Sequence, residues 1–253
     1  MKDTYDSIIS LGGFCGAAMQ LRARGLRPCS MPFDWLFMQD ARTVEWMARA
    51  VGEDFADFCL KANLEPLVRE GVGGLAPFKY TDRASGFGFI HHFWKDRDAG
   101  GYEEVRRQID RRLARFRAAF GPGRSVLLVL ATPFGFDLDL AGRLLAAFRA
   151  RFPEAEVDLH VLQFDVRFAD PSTLAARVPD GLPFTGALYA RRHGTYDLHR
   201  TTAEWAFLDA VSLRGGTRPR PRGLARLRMK VWKSLSKWLL NHGYGVLGVR
   251  FDG

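Results

Sequence analysis

Cysteine is scarce in this sequence: the 253 residues contain only Cys15, Cys29 and Cys59. An odd number of cysteines without paired ligand spacing argues against a disulfide scaffold or a zinc site, and a reducing cytoplasm is the expected location. The sequence has no run of about 18 apolar residues, so we expect no membrane-spanning helix. The first residues carry acidic side chains and lack an apolar signal core, so we expect no secretory signal peptide.

Several motifs of cofactor-dependent proteins are also absent. The sequence shows no phosphate-binding loop, no dinucleotide fingerprint and no run of metal-ligating residue types. We therefore expect no cofactor and no bound metal.

Acidic residues are missing from one long stretch, residues 210–251, which contains ten Lys and Arg residues. The net charge of +9 is therefore concentrated there, and the rest of the chain is close to neutral. This distribution argues against nucleic acid as a partner of the whole protein and favours a partner that is specific to the tail.

The tail itself divides into two parts. Residues 214–223 have the Pro, Arg and Gly composition of a linker, and residues 224–253 predict a basic amphipathic helix. A cationic helix with tryptophans beside its apolar face is typical of a segment that lies in a membrane interface, where each basic residue contributes about 1 kcal/mol near an anionic leaflet. The alternative is a helix docked on its own domain. Peripheral contact with an anionic membrane surface is therefore one of two predictions for the tail.

Residues 1–213 show an alternation of strand and helix patterns. The continuous apolar run SVLLVLAT predicts a strand that is covered on both faces. Apolar residues at 102, 105, 109, 113, 116 and 120 predict one face of a long helix. Together these patterns predict an α/β domain with a mainly parallel sheet flanked by helices. The run TTAEWAFLDAVSL predicts a further helix, and residues 54–86 give no clear pattern.

The run SLGGFCGAAMQLRARG places a cysteine between a predicted strand and a predicted helix. Gly12 and Gly13 predict a tight turn, so Cys15 falls in the first turn of the helix. Helix amides and the macrodipole stabilise an anion there, so the thiol can have a lowered pKa, and nearby N–H groups could hold an oxyanion. The neighbouring glycines would allow a substrate to approach closely. The alternative is a small buried side chain.

Two other chemistries use a similar turn. Enzymes that form a phospho-cysteine need an arginine six positions after the cysteine, and Leu21 stands there, which argues against phosphatase chemistry. Some serine hydrolases carry the nucleophile on such a turn with a C-terminal Asp and His close together, and Asp197 and His199 offer that pair. This arrangement stays a secondary alternative.

The residues after the predicted strand resemble the start of a bacterial domain family of unknown function, described as papain-like cysteine peptidases. The family shows a Ser-Leu-Gly, a cysteine, an arginine, a serine and a Pro-Phe-Asp-Trp, which match residues 10–12, Cys15, Arg27, Ser30 and residues 32–35. The run FIHHFW resembles the family's His-Asp-Phe, with His91 at the histidine and His92 in place of the acid. The resemblance covers roughly residues 5–165.

This resemblance implies that Cys15 is a nucleophile and that His91 is the base that takes the thiol proton and later protonates the leaving group. Such an enzyme would hydrolyse or transfer an acyl or amide group through a thioester, with a peptide, amide or acyl compound as substrate. The resemblance also implies an antiparallel sheet after the cysteine helix, whereas the pattern of strands and helices predicts a parallel one. In a strand, His91 and His92 would point to opposite faces, so only one could meet Cys15.

Asp34 has two predicted roles: it fixes its own loop through amide hydrogen bonds, or it orients His91. We also predict substrate contacts for a set of neighbouring residues, namely Gly12, Gly13, Phe14, Trp35 and His92. Three aspartates, Asp137, Asp139 and Asp165, cluster at predicted strand ends, where α/β proteins bind ligands, although capping is the simpler role. The alternative to an enzyme is a ligand-binding module or pseudoenzyme whose glycine turn and helix N-terminus hold an anionic or sugar-like ligand.

Overall fold

A computed structural model describes most of the first 215 residues, namely residues 2–66, 80–89, 92–93, 101–165, 173–177, 180–190 and 205–215. Its four α-helices are α1 (Cys15–Ala23), α2 (Arg42–Ala50), α3 (Tyr102–Ala118) and α4 (Leu138–Arg151). Its strands are β1 (Thr4–Tyr5), β2 (Ser7–Ser10), β3 (Phe37–Met38), β4 (Leu64–Pro66), β5 (Tyr80–Asp82), β6 (Phe87–Phe89), β7 (Ser125–Thr132), β8 (Glu156–Asp165), β9 (Thr173–Arg177), β10 (Thr185–Ala190) and β11 (Ser212–Leu213). These residues form a mixed α/β structure with three sheets.

The largest sheet has five strands in the order β2-β7-β8-β10-β9. The first four strands are parallel, and β9 is antiparallel to β10 at the edge. The prediction of a mainly parallel sheet is therefore confirmed. The carboxyl ends of β2 and β7 lie at the same edge of this sheet, because their register pairs Ser10 with Val129.

Every residue of β7 is buried, since both faces of the main sheet are covered. Val126, Leu128 and Leu130 belong to a core that α2, α3 and α4 cover, whereas Leu127 and Val129 belong to a second core on the opposite face. That second core is covered by α1 and by the segment after residue 204. The apolar run therefore has the two-sided burial that its sequence predicts.

The long helix α3 buries one stripe of side chains at intervals of three and four residues, namely Val105, Ile109, Leu113 and Phe116. This stripe was predicted from the sequence and is confirmed. Helix α4 begins after Asp137, whose carboxylate accepts a hydrogen bond from the Asp139 amide at 3.0 Å. Asp137 is thus the N-cap of α4, as the simpler interpretation predicts.

A second, antiparallel sheet takes two of its strands, β4 and β5, from the region that gave no clear sequence pattern. Its order is β3-β6-β5-β4, and its strands are only two or three residues long. Buried aromatic rings stabilise it, with Phe33 stacked on Phe87 at 5.6 Å between ring centroids. Asp82 fixes the turn between β5 and β6, because its buried carboxylate accepts hydrogen bonds from the Cys59 amide and the Ser85 hydroxyl, both at 2.9 Å.

The prediction of a helix over the run TTAEWAFLDAVSL is wrong for its described part, residues 205–213. A short 3-10 helix covers Ala206–Ala210, and β11 then pairs in parallel with β1. The buried side chains here, Trp205, Leu208 and Val211, recur every three residues. This interval matches a 3-10 turn better than an α-helix, and the pairing with β1 ends the turn.

The predicted linker beyond residue 215 and the predicted tail helix over 224–253 lie outside the described residues. In the described part of the chain, no helix is both long enough and apolar enough to cross a membrane.

Candidate functional site

The turn that carries Cys15 packs tightly on the end of β7. Gly12 and Gly13 both have positive φ angles, +89° and +98°, which disfavour residues with a side chain. A Cβ atom on Gly13 would lie 1.7 Å from the carbonyl oxygen of Ala131. Close approach to β7 is therefore sufficient to explain the glycine at position 13, and its predicted contact with substrate stays a prediction.

The same turn is joined to the antiparallel sheet. The Gly13 carbonyl accepts a hydrogen bond from the Met38 amide of β3 at 3.0 Å. A Cβ atom on Gly12 would lie 3.0 Å from the Phe33 carbonyl oxygen and 3.3 Å from the Phe87 ring. The cysteine turn, the loop of residues 32–35 and strand β6 therefore form one packed unit.

Cys15 is the first residue of α1 and is half-buried. It follows the carboxyl end of β2, at the edge of a parallel sheet where α/β proteins bind ligands. The N-cap residue, Phe14, makes no side-chain hydrogen bond to the helix. The N-cap side chain therefore does not cap the first-turn amides, and the role of Cys15 as a nucleophile or part of an anion site stays a prediction.

The acidity of the thiol differs from the expectation. Burial raises the pKa of the Cys15 thiol to about 11. The lowered pKa expected for a helix N-terminus is thus wrong for this structure, because removal of the thiolate from water outweighs the hydrogen bond from the backbone of Cys15 itself. Cys15 carries its proton at neutral pH, and a nucleophilic thiolate requires a base.

Phe14 contributes to the hydrophobic core. Its side chain is only 7% exposed and packs edge-to-face on Phe164 at 5.6 Å between centroids. A Cβ atom on Gly16 would lie 2.1 Å from the Phe14 ring, so Gly16 is needed where the ring folds over the start of α1. The ring holds the turn in place, and its predicted contact with substrate stays a prediction.

Asp34 is almost completely buried and uses its two carboxylate oxygens differently. Oδ2 accepts hydrogen bonds from Arg27 Nε at 2.6 Å and from the Met31 amide at 2.8 Å. Oδ1 is buried and accepts no hydrogen bond from the residues that the structure describes. Burial raises the pKa of the Asp34 carboxyl, and the nearby charge of Arg27 opposes that shift.

Trp35 follows with a backbone conformation that is rare for a large side chain, since its φ is +67°. Its half-buried ring lies beneath the Arg27 guanidinium, with 5.6 Å between Cζ and the ring centroid. Unfavourable backbone conformations of this kind are concentrated at functional sites. Arg27 thereby fixes both Asp34 and Trp35, two residues of the motif predicted to line the site.

His92 lies in a turn after β6 instead of in a strand. Its Nε2 atom is 2.9 Å from Arg112 Nη1, and its ring packs on Phe89 at 5.4 Å between centroids. Because a guanidinium can only donate, Nε2 must accept, and the proton of the neutral ring is on Nδ1. His91, Asp197 and His199 lie outside the described residues, as does the side chain of Asp165.

The remaining cysteines show no sign of reactivity in their surroundings. Cys59 is buried, and burial raises the pKa of its thiol to about 12. Cys29 is half-buried and packs against the larger core. Among the described residues, no group of three or more His, Cys, Asp and Glu side chains could hold a metal ion.

Two arginines of α3 contact this region; their segment, RRLARF, resembles an Arg-rich helix of the family, but no role was predicted for either of them. Arg112 contacts His92, and Arg115 donates to the Ser30 carbonyl at 2.9 Å. A signal for Arg112 was available, because it lies three residues after Ile109 and four before Phe116, on the buried stripe of the helix.

The fold and the site define an α/β protein with a cysteine at the start of a helix, at the carboxyl edge of a parallel sheet. The chain belongs to the family described as "Putative papain-like cysteine peptidase (DUF1796)", whose model matches residues 6–133. The match includes the cysteine turn, the loop of residues 32–35, position 91 and α3, and it ends after β7. No curated protein and no solved structure matches the chain.

Proposed function

We propose that the protein is a thiol-dependent hydrolase or acyltransferase that acts on a peptide, amide or acyl compound, with Cys15 as nucleophile and His91 as base. The main support is the position of Cys15, half-buried at the first turn of α1 and beside the carboxyl end of β7. Membership of the family supports the same class of chemistry.

The raised pKa of the Cys15 thiol, about 11, determines how the reaction must begin. His91 takes the thiol proton as sulfur attacks the carbonyl carbon, so that the charge never has to persist on a buried sulfur. The first-turn amides of α1 are the candidate donors to the developing oxyanion.

The reaction then proceeds through a thioester. The C–S bond forms while the bond to the leaving group breaks, and His91 returns its proton to that group. Water attacks the thioester in a hydrolase, and an acceptor nucleophile attacks it in an acyltransferase. In both cases the C–S bond breaks and the thiol is regenerated.

Asp34 is the proposed orienting residue for the base. Its Oδ1 atom is buried and accepts no hydrogen bond from the described residues. A buried carboxylate oxygen of this kind is costly unless a donor reaches it, and the N–H of a catalytic imidazole is a suitable donor. Oδ2 meanwhile keeps Asp34 fixed through Arg27 and Met31.

Alkylation with iodoacetamide, followed by mass spectrometry of each cysteine, tests the proposal. We expect Cys15 to react faster at neutral pH than Cys29, and to lose that advantage in His91→Ala, because the thiol would then keep its proton. His92→Ala is the matched control and should retain rapid labelling.

The opposite result would be slow Cys15 labelling that is the same in His91→Ala and rises steadily toward pH 11. It would contradict the enzyme and support the second candidate, a ligand-binding module or pseudoenzyme. The observation that favours this candidate is the raised pKa of the Cys15 thiol at the first turn of α1. In that case the α1 amides would hold an anionic or sugar-like ligand without covalent chemistry.

A further inference from the structure

Arg112 is a half-buried cation with few partners. Its guanidinium has five N–H groups, and His92 Nε2 is the only hydrogen-bond acceptor it contacts among the described residues. No described carboxylate lies within 4.0 Å of it, unlike Arg106 on the same helix, which pairs with Asp110. Removing a charged group from water without pairing it is unfavourable.

The surroundings of Arg112 add more positive charge. Arg115 and Arg27 converge from two elements on Ser30, since Arg115 donates to its carbonyl at 2.9 Å and Arg27 to its hydroxyl at 2.8 Å. Burial lowers the pKa of Arg112, and the charges of Arg115, Arg27 and Arg111 add to that shift. Four arginines are thus gathered in one place.

One described carboxylate acts against these charges at Arg112. That carboxylate is Asp34, which already forms a short ion pair with Arg27. An excess of positive charge of this size, partly removed from water, favours binding of an anion. Planar guanidinium groups bind carboxylate and phosphate oxygens in pairs, which gives such an anion directional hydrogen bonds.

We propose that Arg111, Arg112, Arg115 and Arg27 form a binding site for an oxyanion, the carboxylate or phosphate group of a ligand. Arg112 provides the central donors, because four of its N–H groups are not used by described residues. Arg111 is exposed, and its charge acts on Arg112. The site does not require Cys15 chemistry, so it can be tested separately from the proposed function.

Thermal unfolding of the full chain in matched buffers tests this site. Inorganic phosphate and acetate are each compared with chloride at equal ionic strength. We expect Tm to rise by a few degrees in at least one oxyanion relative to chloride, since a ligand that binds only the folded state stabilises it. A response to phosphate identifies a phosphate group as the ligand, and a response to acetate alone identifies a carboxylate.

Three variants, each of which replaces one arginine with glutamine, show which residues the Tm rise depends on. Arg112→Gln should abolish the Tm rise, and Arg111→Gln, at an exposed position, should reduce it even if the first variant folds poorly. Arg107→Gln is the matched control, because Arg107 is exposed on α3 one turn before Arg111 and should leave the rise unchanged. Without oxyanion, Arg112→Gln should unfold at the same or a higher temperature, because it removes repulsion among the arginines.

Two results would overturn the proposal. One is an equal Tm in chloride and in both oxyanions, which would mean that salt acts by screening alone. The other is an oxyanion response that is as large in Arg112→Gln and Arg111→Gln as in the unaltered protein.

Discussion

Arg27 Nε lies 2.6 Å from Asp34 Oδ2, and the two side chains are only 9% and 1% exposed. Asp34 also receives the Met31 amide, and Arg27 also contacts Ser30 and the Trp35 ring. The pair therefore holds together the loop that packs against the cysteine turn. A buried ion pair resists the loss of either partner, because the remaining charge stays buried and unpaired.

The first prediction concerns this pair. Asp34→Ala should lower the free energy of unfolding by about 3–5 kcal/mol, since it leaves the Arg27 guanidinium buried without its carboxylate. Urea unfolding followed by circular dichroism measures the change.

Glu65→Ala is the control, because Glu65 pairs with Arg83 and both side chains are exposed. That change should cost less than about 1 kcal/mol. Similar small losses for both variants would show that the Arg27–Asp34 pair contributes little to the fold.

The second prediction concerns the cysteine turn. Gly13→Ala should destabilise the protein by about 3 kcal/mol or more, because the new Cβ would overlap the Ala131 carbonyl at a positive φ angle. Gly25 also has a positive φ angle, +74°, but its Cβ position is open. Gly25→Ala should therefore cost only about 1 kcal/mol. Denaturant unfolding compares them, and equal losses would contradict the close packing of the turn on β7.

The third prediction concerns stability in acid. His160 in β8 is buried, its Nδ1 lies 2.8 Å from the Thr185 hydroxyl oxygen, and its ring stacks on Phe207 at 3.6 Å between centroids. Burial lowers the pKa of His160 from 6.5 to about 3. Between these values the unfolded chain binds a proton that the folded chain does not, so stability falls as the pH decreases.

The loss should be about 1 kcal/mol for each pH unit within that window. His160→Gln should reduce the slope of unfolding free energy against pH between pH 6 and pH 4, because its side chain does not titrate. Urea unfolding at a series of pH values gives both slopes. If the two slopes agree, protonation of His160 does not destabilise the fold.

The sequence predicted the long elements, because their buried side chains follow a regular spacing. The stripe of α3 and the apolar run of β7 each extend over several residues, so their periodicity is visible locally. The residue pattern did not show how the antiparallel sheet pairs, because strands of two or three residues are too short to show an alternation. Only the family resemblance implied an antiparallel sheet after the cysteine helix. The segment after Trp205 was misassigned because its pairing with β1 is a long-range contact.

The sequence likewise predicted only part of the candidate site. Local sequence was sufficient to place Cys15 at the start of a helix after a glycine turn. The direction of the Cys15 pKa shift was not predictable, because burial by distant segments determines it. The contacts of Arg112 with His92 and of Arg115 with Ser30 were not predictable either, because they join residues that are far apart in the chain.

The fourth prediction concerns the tail, for which we propose contact with an anionic membrane surface. Removal of residues 216–253 should abolish sedimentation of the protein with vesicles that contain phosphatidylserine, because it removes most of the basic residues of the stretch 210–251. Vesicles of phosphatidylcholine alone are the control and should bind neither form. Equal sedimentation of the full and shortened chains would rule out the tail as the contact.

Strand β3 shares main-chain hydrogen bonds with two neighbours, since Met38 donates to the Gly13 carbonyl and the strand pairs with β6. These hydrogen bonds use backbone groups, which do not depend on the side chain. Substitutions at Phe37 and Met38 can therefore alter packing without changing the spacing between the cysteine turn and the end of β6. An inserted or deleted residue in β3 would change that spacing at once. Evolution of this protein is thus expected to conserve the length of β3 more strictly than the identity of the half-buried Phe37, whereas Met38 is also held by its burial in the core.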